Sequence, residues 1–240
     1  MAQTGTANNT GSATAPGRLA PWKIACGAIM VYVIYGSFFV AGGAEGFRVG
    51  GDGARAIFFH VPAAILSSVL YFAGMWYAAV FLFGKKQNDM EADAKSGICM
   101  ELGALFCLLA TITGSIFAGI QWGVFWNWDP RETSIIVMLL LYAAYLILRG
   151  AMAGKPAARA RLSAVYALIA LVPAQYLIWA VPRLLEGNHP TNTLRDPAMT
   201  SLGYKLVLYP SFLAFAMLTV WLFQLRFRAY RLAASREETL

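Results

Sequence analysis

The chain has 240 residues, of which 59% are hydrophobic and only 13% charged, with a formal net charge of +7 and a mean hydropathy of +0.57. That balance excludes a water-soluble globular domain of this size and leaves an all-α integral membrane protein. The positive charge needs no nucleic-acid partner, because its distribution along the chain follows membrane topology.

Residues 1–21 are mostly Thr, Ala, Gly, Asn and Ser without apolar periodicity, and read as a disordered tail. Val40-Ala41-Gly42 resembles a signal-peptidase site. A signal peptide is nevertheless the weaker reading, since a long polar tail precedes an apolar run longer than an ordinary leader core. Charge-poor stretches follow near 22–42, 58–84, 98–118, 134–148, 162–181 and 204–225. A crossing takes about 20 apolar residues, so six transmembrane helices are expected. The fourth extends by a few residues toward Glu132 and Arg149. The domain division is then a cytoplasmic tail (1–21), a six-helix membrane domain (22–226) and a second cytoplasmic tail (227–240).

Thirteen of the nineteen Lys and Arg residues fall on one side, in or next to the tails and in the connections 85–97 and 149–161. The positive-inside rule puts both termini in the cytoplasm. Those connections are too small for a catalytic domain but could dock a partner. Cys26, Cys99 and Cys107 lie inside spans and read as small buried hydrophobes. There is no Cys-x-x-Cys, no Cys-x-x-Cys-His and no Gly-x-x-x-x-Gly-Lys-Ser/Thr. Thiol–disulfide exchange, covalent haem attachment to this chain and ATP hydrolysis are therefore not expected of it.

Three segments face outward in this topology. The first, 43–57, is glycine-rich and leads through Arg55 into Phe58-Phe59-His60-Val61-Pro62. Proline suits a first helical turn, so His60 stands at the mouth of the second span. The second, 119–133, joins spans three and four and carries Trp122, Trp126 and Trp128. If it is a short helix, Trp122 and Trp126 share a face and Trp128 points elsewhere. Asp129-Pro130-Arg131-Glu132 reads as the N-terminus of span four, with Asp129 as N-cap, Pro130 in the first turn and Glu132 at the third position. Arg131 could be held by that acidic pair. The third segment, 182–203, contains Arg183, His189 and Asp196-Pro197.

The chain's only two histidines thus lie on one side of the membrane, level with a tryptophan cluster. Each histidine alone could be a satisfied interfacial residue. Together they suit axial ligation of haem iron by neutral imidazoles. Single border tryptophans usually form an aromatic belt, but three within seven residues offer a flat apolar platform for a porphyrin. Arg55, Arg131, Arg183 and Arg195 are the outward cations available for haem propionates, with lipid-headgroup contact as the alternative for each.

The segment Trp122-Gly-Val-Phe-Trp-Asn-Trp-Asp-Pro-Arg-Glu-Thr133 resembles the tryptophan-rich "WWD" segment of the haem-handling membrane proteins of cytochrome c maturation. Within that superfamily the likeness is greatest to the haem exporter protein C family, CcmC. It extends to Arg55 and His60-Val-Pro-Ala-Ala64, to Thr113-Gly114-Ser115 and to Asp196-Pro-Ala-Met199. The resemblance implies a haem b site on the extracytoplasmic side, ligated by His60 and His189, with Trp122, Trp126, Trp128 and Asp129 in the binding segment. It also implies a bacterial inner-membrane location, haem as cargo, and no enzymatic chemistry by this chain. The implied partners are the CcmA and CcmB subunits of an ABC transporter, the small CcmD and the haem chaperone CcmE.

The chain departs from the CcmC pattern at Phe125, at Pro130-Arg-Glu-Thr133, which looks more like the CcsA/ResC and CcmF branches, and around His189. A CcsA-like cytochrome c synthase component is therefore the alternative, though it would use further histidines and more spans. A respiratory b-type cytochrome would need histidine pairs within the bilayer. A secondary transporter would favour midplane polar groups, for which Glu101 is the one acidic candidate, near the cytoplasmic end of span three.

Overall fold

A computed structural model describes residues 20–41, 55–86, 89–189 and 201–237. Regular structure among them is helical: α1 (Pro21–Phe39), α2 (Ile57–Phe83), α3 (Met90–Trp122), α4 (Pro130–Ala151), α5 (Pro156–Ile169), α6 (Leu171–Gln175), a π turn (Tyr176–Ala180), α7 (Val181–Leu184) and α8 (Leu202–Glu237). Five helices are long and apolar enough to cross a bilayer. A sixth crossing results if α5 and the stretch 171–184, bent by 44°, form one broken span. The all-α, multi-pass expectation holds. The expected glycine-rich segment 43–57 lies outside the described residues except at 55–57, as do residues 1–19 of the tail and Asp196–Met199.

The outer surface is apolar, with Val31, Trp76 and Ile147 each more than 60% exposed. Such side chains face lipid, while the helices satisfy their own backbone groups. Inside, small residues let helices approach closely, and neighbouring backbone satisfies their hydroxyls. Ser96 Oγ of α3 donates to Gly74 O of α2 at 2.8 Å. Tyr142 of α4, fully buried, donates to Ser67 O of α2 at 2.6 Å. The three cysteines are free and buried, as expected.

α2 and α3 form an antiparallel hairpin with the most extensive contact in the molecule. Asp89 starts α3 by accepting from Glu91 N at 3.1 Å, and Glu91 and Asp93 place negative charge in its first turn. These polar first turns lower the local hydropathy, so α3 begins at Met90 rather than near residue 98. α1 packs against α8, where Pro210 lies inside the helix. Proline has no N–H to give the carbonyl four residues earlier. Tyr32 of α1 supplies the missing donor, its hydroxyl meeting Leu206 O at 3.1 Å.

At the end of the bundle carrying the 84–89 connection, Asp93 is buried. It accepts from Arg149 Nη1 at 2.6 Å and Nη2 at 3.1 Å, with Arg159 Nη2 3.7 Å away. One carboxylate thereby joins α3, α4 and α5. Glu101 pairs with Arg226 of α8, which accounts for the acidic residue a transporter reading would have used. The fifth apolar stretch is broken where Pro173 and Pro182 interrupt the hydrogen-bond ladder. The last helix continues past residue 225 to Glu237. At 1.5 Å per residue its length is roughly 54 Å, beyond the ~30 Å hydrocarbon core.

Candidate functional site

His60 occupies the first turn of α2 and its ring lies against the last third of α3. Nδ1 is 2.9 Å from Ala110 O and 3.3 Å from Thr113 Oγ1. The Thr113 hydroxyl donates to Leu109 O at 2.7 Å, so toward the imidazole its oxygen only accepts. Both partners being acceptors, Nδ1 carries the proton and Nε2 keeps its lone pair free. Gly114 makes room for the ring, because a Cβ there would stand 2.8 Å from His60 Cε1. Ser115 Oγ reaches Phe125 O at 2.8 Å. The Thr113-Gly114-Ser115 run thus orients the imidazole, admits it, and ties α3 to the tryptophan segment.

His189 lies beyond the end of α7 and is held by the start of α4. Its Nδ1 is 2.9 Å from Asp129 Oδ1, and the Asp129 side chain is only 1% exposed. The same carboxylate accepts from Arg131 N at 2.9 Å and from Asn188 N at 2.6 Å. Asp129 is thus the N-cap of α4, as expected, and also the anchor of the 187–189 segment. Gly187 permits this approach, since a Cβ there would fall 2.2 Å from Asp129 Oδ2. Burial pushes His189 below its ordinary pKa against the pull of Asp129. For Asp129 burial works upward, but the N–H groups of Arg131 and Asn188 and the imidazole hold it below the usual carboxylate range. A neutral imidazole donating to a carboxylate is the resulting state.

The tryptophan segment is not a helix. α3 ends at Trp122, Gly123 takes φ 79° as its left-handed cap, and residues 124–129 are irregular. Asp129 N donates to Asn127 Oδ1 at 3.0 Å, and Asn127 N donates to Glu132 Oε2 at 2.8 Å. These bonds hold Trp128 at φ 60°, a left-handed conformation costly for a bulky residue. The shared face of Trp122 and Trp126 therefore does not form. Trp122 turns to His189, ring centroids 4.8 Å apart at 70°. Trp126 and Trp128 pack edge to face at 5.8 Å, with Trp128 69% exposed.

Of the four arginines, Arg195 lies outside the described residues, and the other three have different partners. Arg131 lies within electrostatic reach of Asp129 and Arg183 and of His189. Arg183 turns back along its helix, bonding Trp179 O and lying 5.5 Å over the Trp179 ring. Arg55 sits 5.1 Å over Phe38 of α1. The sequence reading missed the Asp129–His189 bond and the roles of Gly114 and Gly187. The Gly-Asn-His and Thr-Gly-Ser runs were the available signals, each a glycine beside a polar group.

These features define a multi-pass helical membrane protein with two histidines and an aromatic loop gathered at one end. A family model, "CcmC: Heme exporter protein C", matches residues 3–239. Relatives named "Heme exporter protein C" include that of Paracoccus denitrificans, 31% identical over 88% of this chain and 86% of its own length. That of Rhodobacter capsulatus is 30% identical over 88% and 86%. That of Bradyrhizobium diazoefficiens is 29% identical over 98% and 84%. The chain belongs to the haem exporter protein C family, the haem-handling membrane proteins of cytochrome c biogenesis.

Proposed function

We propose that this chain holds haem b at the His60–Trp122–His189 end, on the extracytoplasmic face of the bacterial inner membrane, and delivers it to a haem chaperone. The observation that carries the reading is the state of the two imidazoles. Each has Nδ1 committed to an acceptor, which leaves each Nε2 as a donor for iron. Among the described residues no three His, Cys, Asp or Glu side chains gather as they would around a bare metal ion. Porphyrin iron asks a protein only for axial donors, so a pair of histidines suffices.

Trp122 covers the His189 side, and the Trp126–Trp128 pair offers an exposed aromatic edge to the porphyrin. Arg131 is the propionate partner closest to the histidine site. Arg55 and Arg183 join it on haem binding by leaving their present aromatic contacts. Asp129 belongs to the site through His189. The remaining elements are CcmA/CcmB-type ABC subunits for energy, a CcmD-like small membrane protein and a CcmE-like acceptor. Both termini lie in the cytoplasm, where the Lys- and Arg-rich connections sit. Bond-making at haem vinyl groups is left to other proteins.

The test is spectroscopy of detergent-purified protein with and without added haem, followed by capture with a membrane-tethered chaperone. Low-spin bis-histidine haem, lost on His60→Ala or His189→Ala, and a ternary complex with the chaperone are expected. High-spin haem in both redox states would remove the bis-histidine site. Covalent cytochrome formed from an apocytochrome by this chain and a thiol reductant, without chaperone binding, would replace delivery to a chaperone by direct presentation of haem, as in a CcsA-like synthase.

A further inference from the structure

The two histidines have different partners. His60 gives its Nδ1 proton to a main-chain carbonyl and a hydroxyl oxygen, both neutral. His189 gives its own to a buried carboxylate that also caps α4 and accepts from Asn188 N. A carboxylate partner fixes the ring's tautomer and orientation and raises its basicity as a ligand more than a neutral acceptor does.

We propose that Asp129 is a positioning residue that acts on haem through His189, turning Nε2 toward the iron and making His189 the more electron-rich of two unequal axial ligands. The proposal rests on the ligand reading above and adds to it a division of labour. His60 is set by the α2–α3 hairpin, with Gly114 and Thr113 shaping its seat. His189 is set by the tryptophan segment, because the atom that orients it also starts α4. The orientation of His189 therefore depends on the fold of residues 127–132. Anything that moves Asp129, including a partner docking on the exposed Trp128, weakens one ligand and leaves the other in place. Release of haem can then begin at His189 while His60 still holds the iron.

Because the chain has only two histidines, 15N labelling of histidine gives two pairs of imidazole signals in the haem-free protein, one pair for each ring. Both should report the Nδ1–H tautomer. Asp129→Ala and Gly187→Ala should each shift the His189 signal toward the Nε2–H form that free imidazole prefers, leaving His60 unchanged as the internal control. Gly187→Ala matters because it keeps the carboxylate itself and parts it from the 187–189 segment by a methyl that would stand 2.2 Å from Asp129 Oδ2. In the haem-loaded protein Asp129→Asn keeps a good N-cap and a hydrogen-bond acceptor but removes the charge. Its midpoint potential should move positive, with the bis-histidine spectrum retained. Signals and potential identical to the parent in these variants, while His189→Gln loses an axial ligand, would overturn the proposal and leave the ligand reading standing. A His189→Gln variant with the parent's haem spectrum would overturn the ligand reading, and the proposal with it.

Discussion

The two ends of the bundle spend their polar residues in opposite ways. At the end with the 84–89 connection, charges are used on one another: Asp93 receives both nitrogens of the Arg149 fork, and Glu101 pairs with Arg226. At the histidine end, the hydrogen bonds are equally complete around Asp129, but they leave two imidazole nitrogens and a run of apolar side chains uncommitted. Val124, Phe125 and Trp128 are 46%, 66% and 69% exposed. Similar bonding thus serves two purposes. One end closes three helices together, and the other holds donors and flat surface ready for something that is not part of the chain.

The contrast breaks most heavily at the closed end. Asp93→Ala strands Arg149 and Arg159 beside buried backbone. Removing one partner of a buried ion pair costs about 3–5 kcal/mol, so unfolding in detergent should show the largest loss of any variant here. Replacing Asp93 and Arg149 together by apolar residues should restore much of it. A double variant as unstable as Asp93→Ala would mean that the pair specifies the packing beyond its charge balance.

Next comes Gly114→Ala, at the open end. The added methyl meets His60 Cε1 at 2.8 Å, and overpacking of this kind costs about 1–3 kcal/mol. Spectroscopically it should imitate loss of the His60 ligand. If haem ligation is unchanged while stability falls, the ring has shifted without leaving the iron, and Gly114 serves packing alone.

How far the sequence discloses these two ends follows the range of the interactions. The spans are legible because hydropathy is local. The α4 start is legible because Asp-Pro-x-Glu contains its own cap. The Asp93–Arg149 and Asp129–His189 contacts join residues 56 and 60 positions apart, and no periodicity announces them. Asp93 reads as an ordinary charge of a cytoplasmic connection, though it is buried. The tryptophan segment permits a helix by spacing alone. Gly123 and the Asn127–Glu132 bond decide otherwise, turning each ring to a different neighbour. The break in the fifth apolar stretch was in view at Pro173 and Pro182, but average hydropathy passes over it.

A lesion outside both hydrogen-bond networks supplies the control. Tyr32→Phe leaves Leu206 O without the donor that Pro210 cannot provide. Hydrogen bonds between membrane helices average about 0.6 kcal/mol. A small loss of that order is expected in unfolding, with haem uptake unaltered. A clear fall in haem uptake would show that the α1–α8 contact, which adjoins the apolar cluster holding Trp122, participates in the site.

The smallest effect on stability is expected where the effect on cargo is large. Trp128 is mostly exposed, and its ring meets only the partly buried Trp126 among the aromatic contacts described. Its backbone sits at φ 60°, which an indole does nothing to favour. Trp128→Ala should therefore change unfolding free energy by no more than about 0.5 kcal/mol, as surface substitutions usually do. Trp128→Gly should be neutral or slightly stabilising, because glycine accepts that φ without strain. If the ring serves the porphyrin, both variants should release haem faster on dilution into apomyoglobin while keeping the bis-histidine spectrum. Stability lost together with haem would make Trp128 part of the scaffold, and the open end would then resemble the closed one.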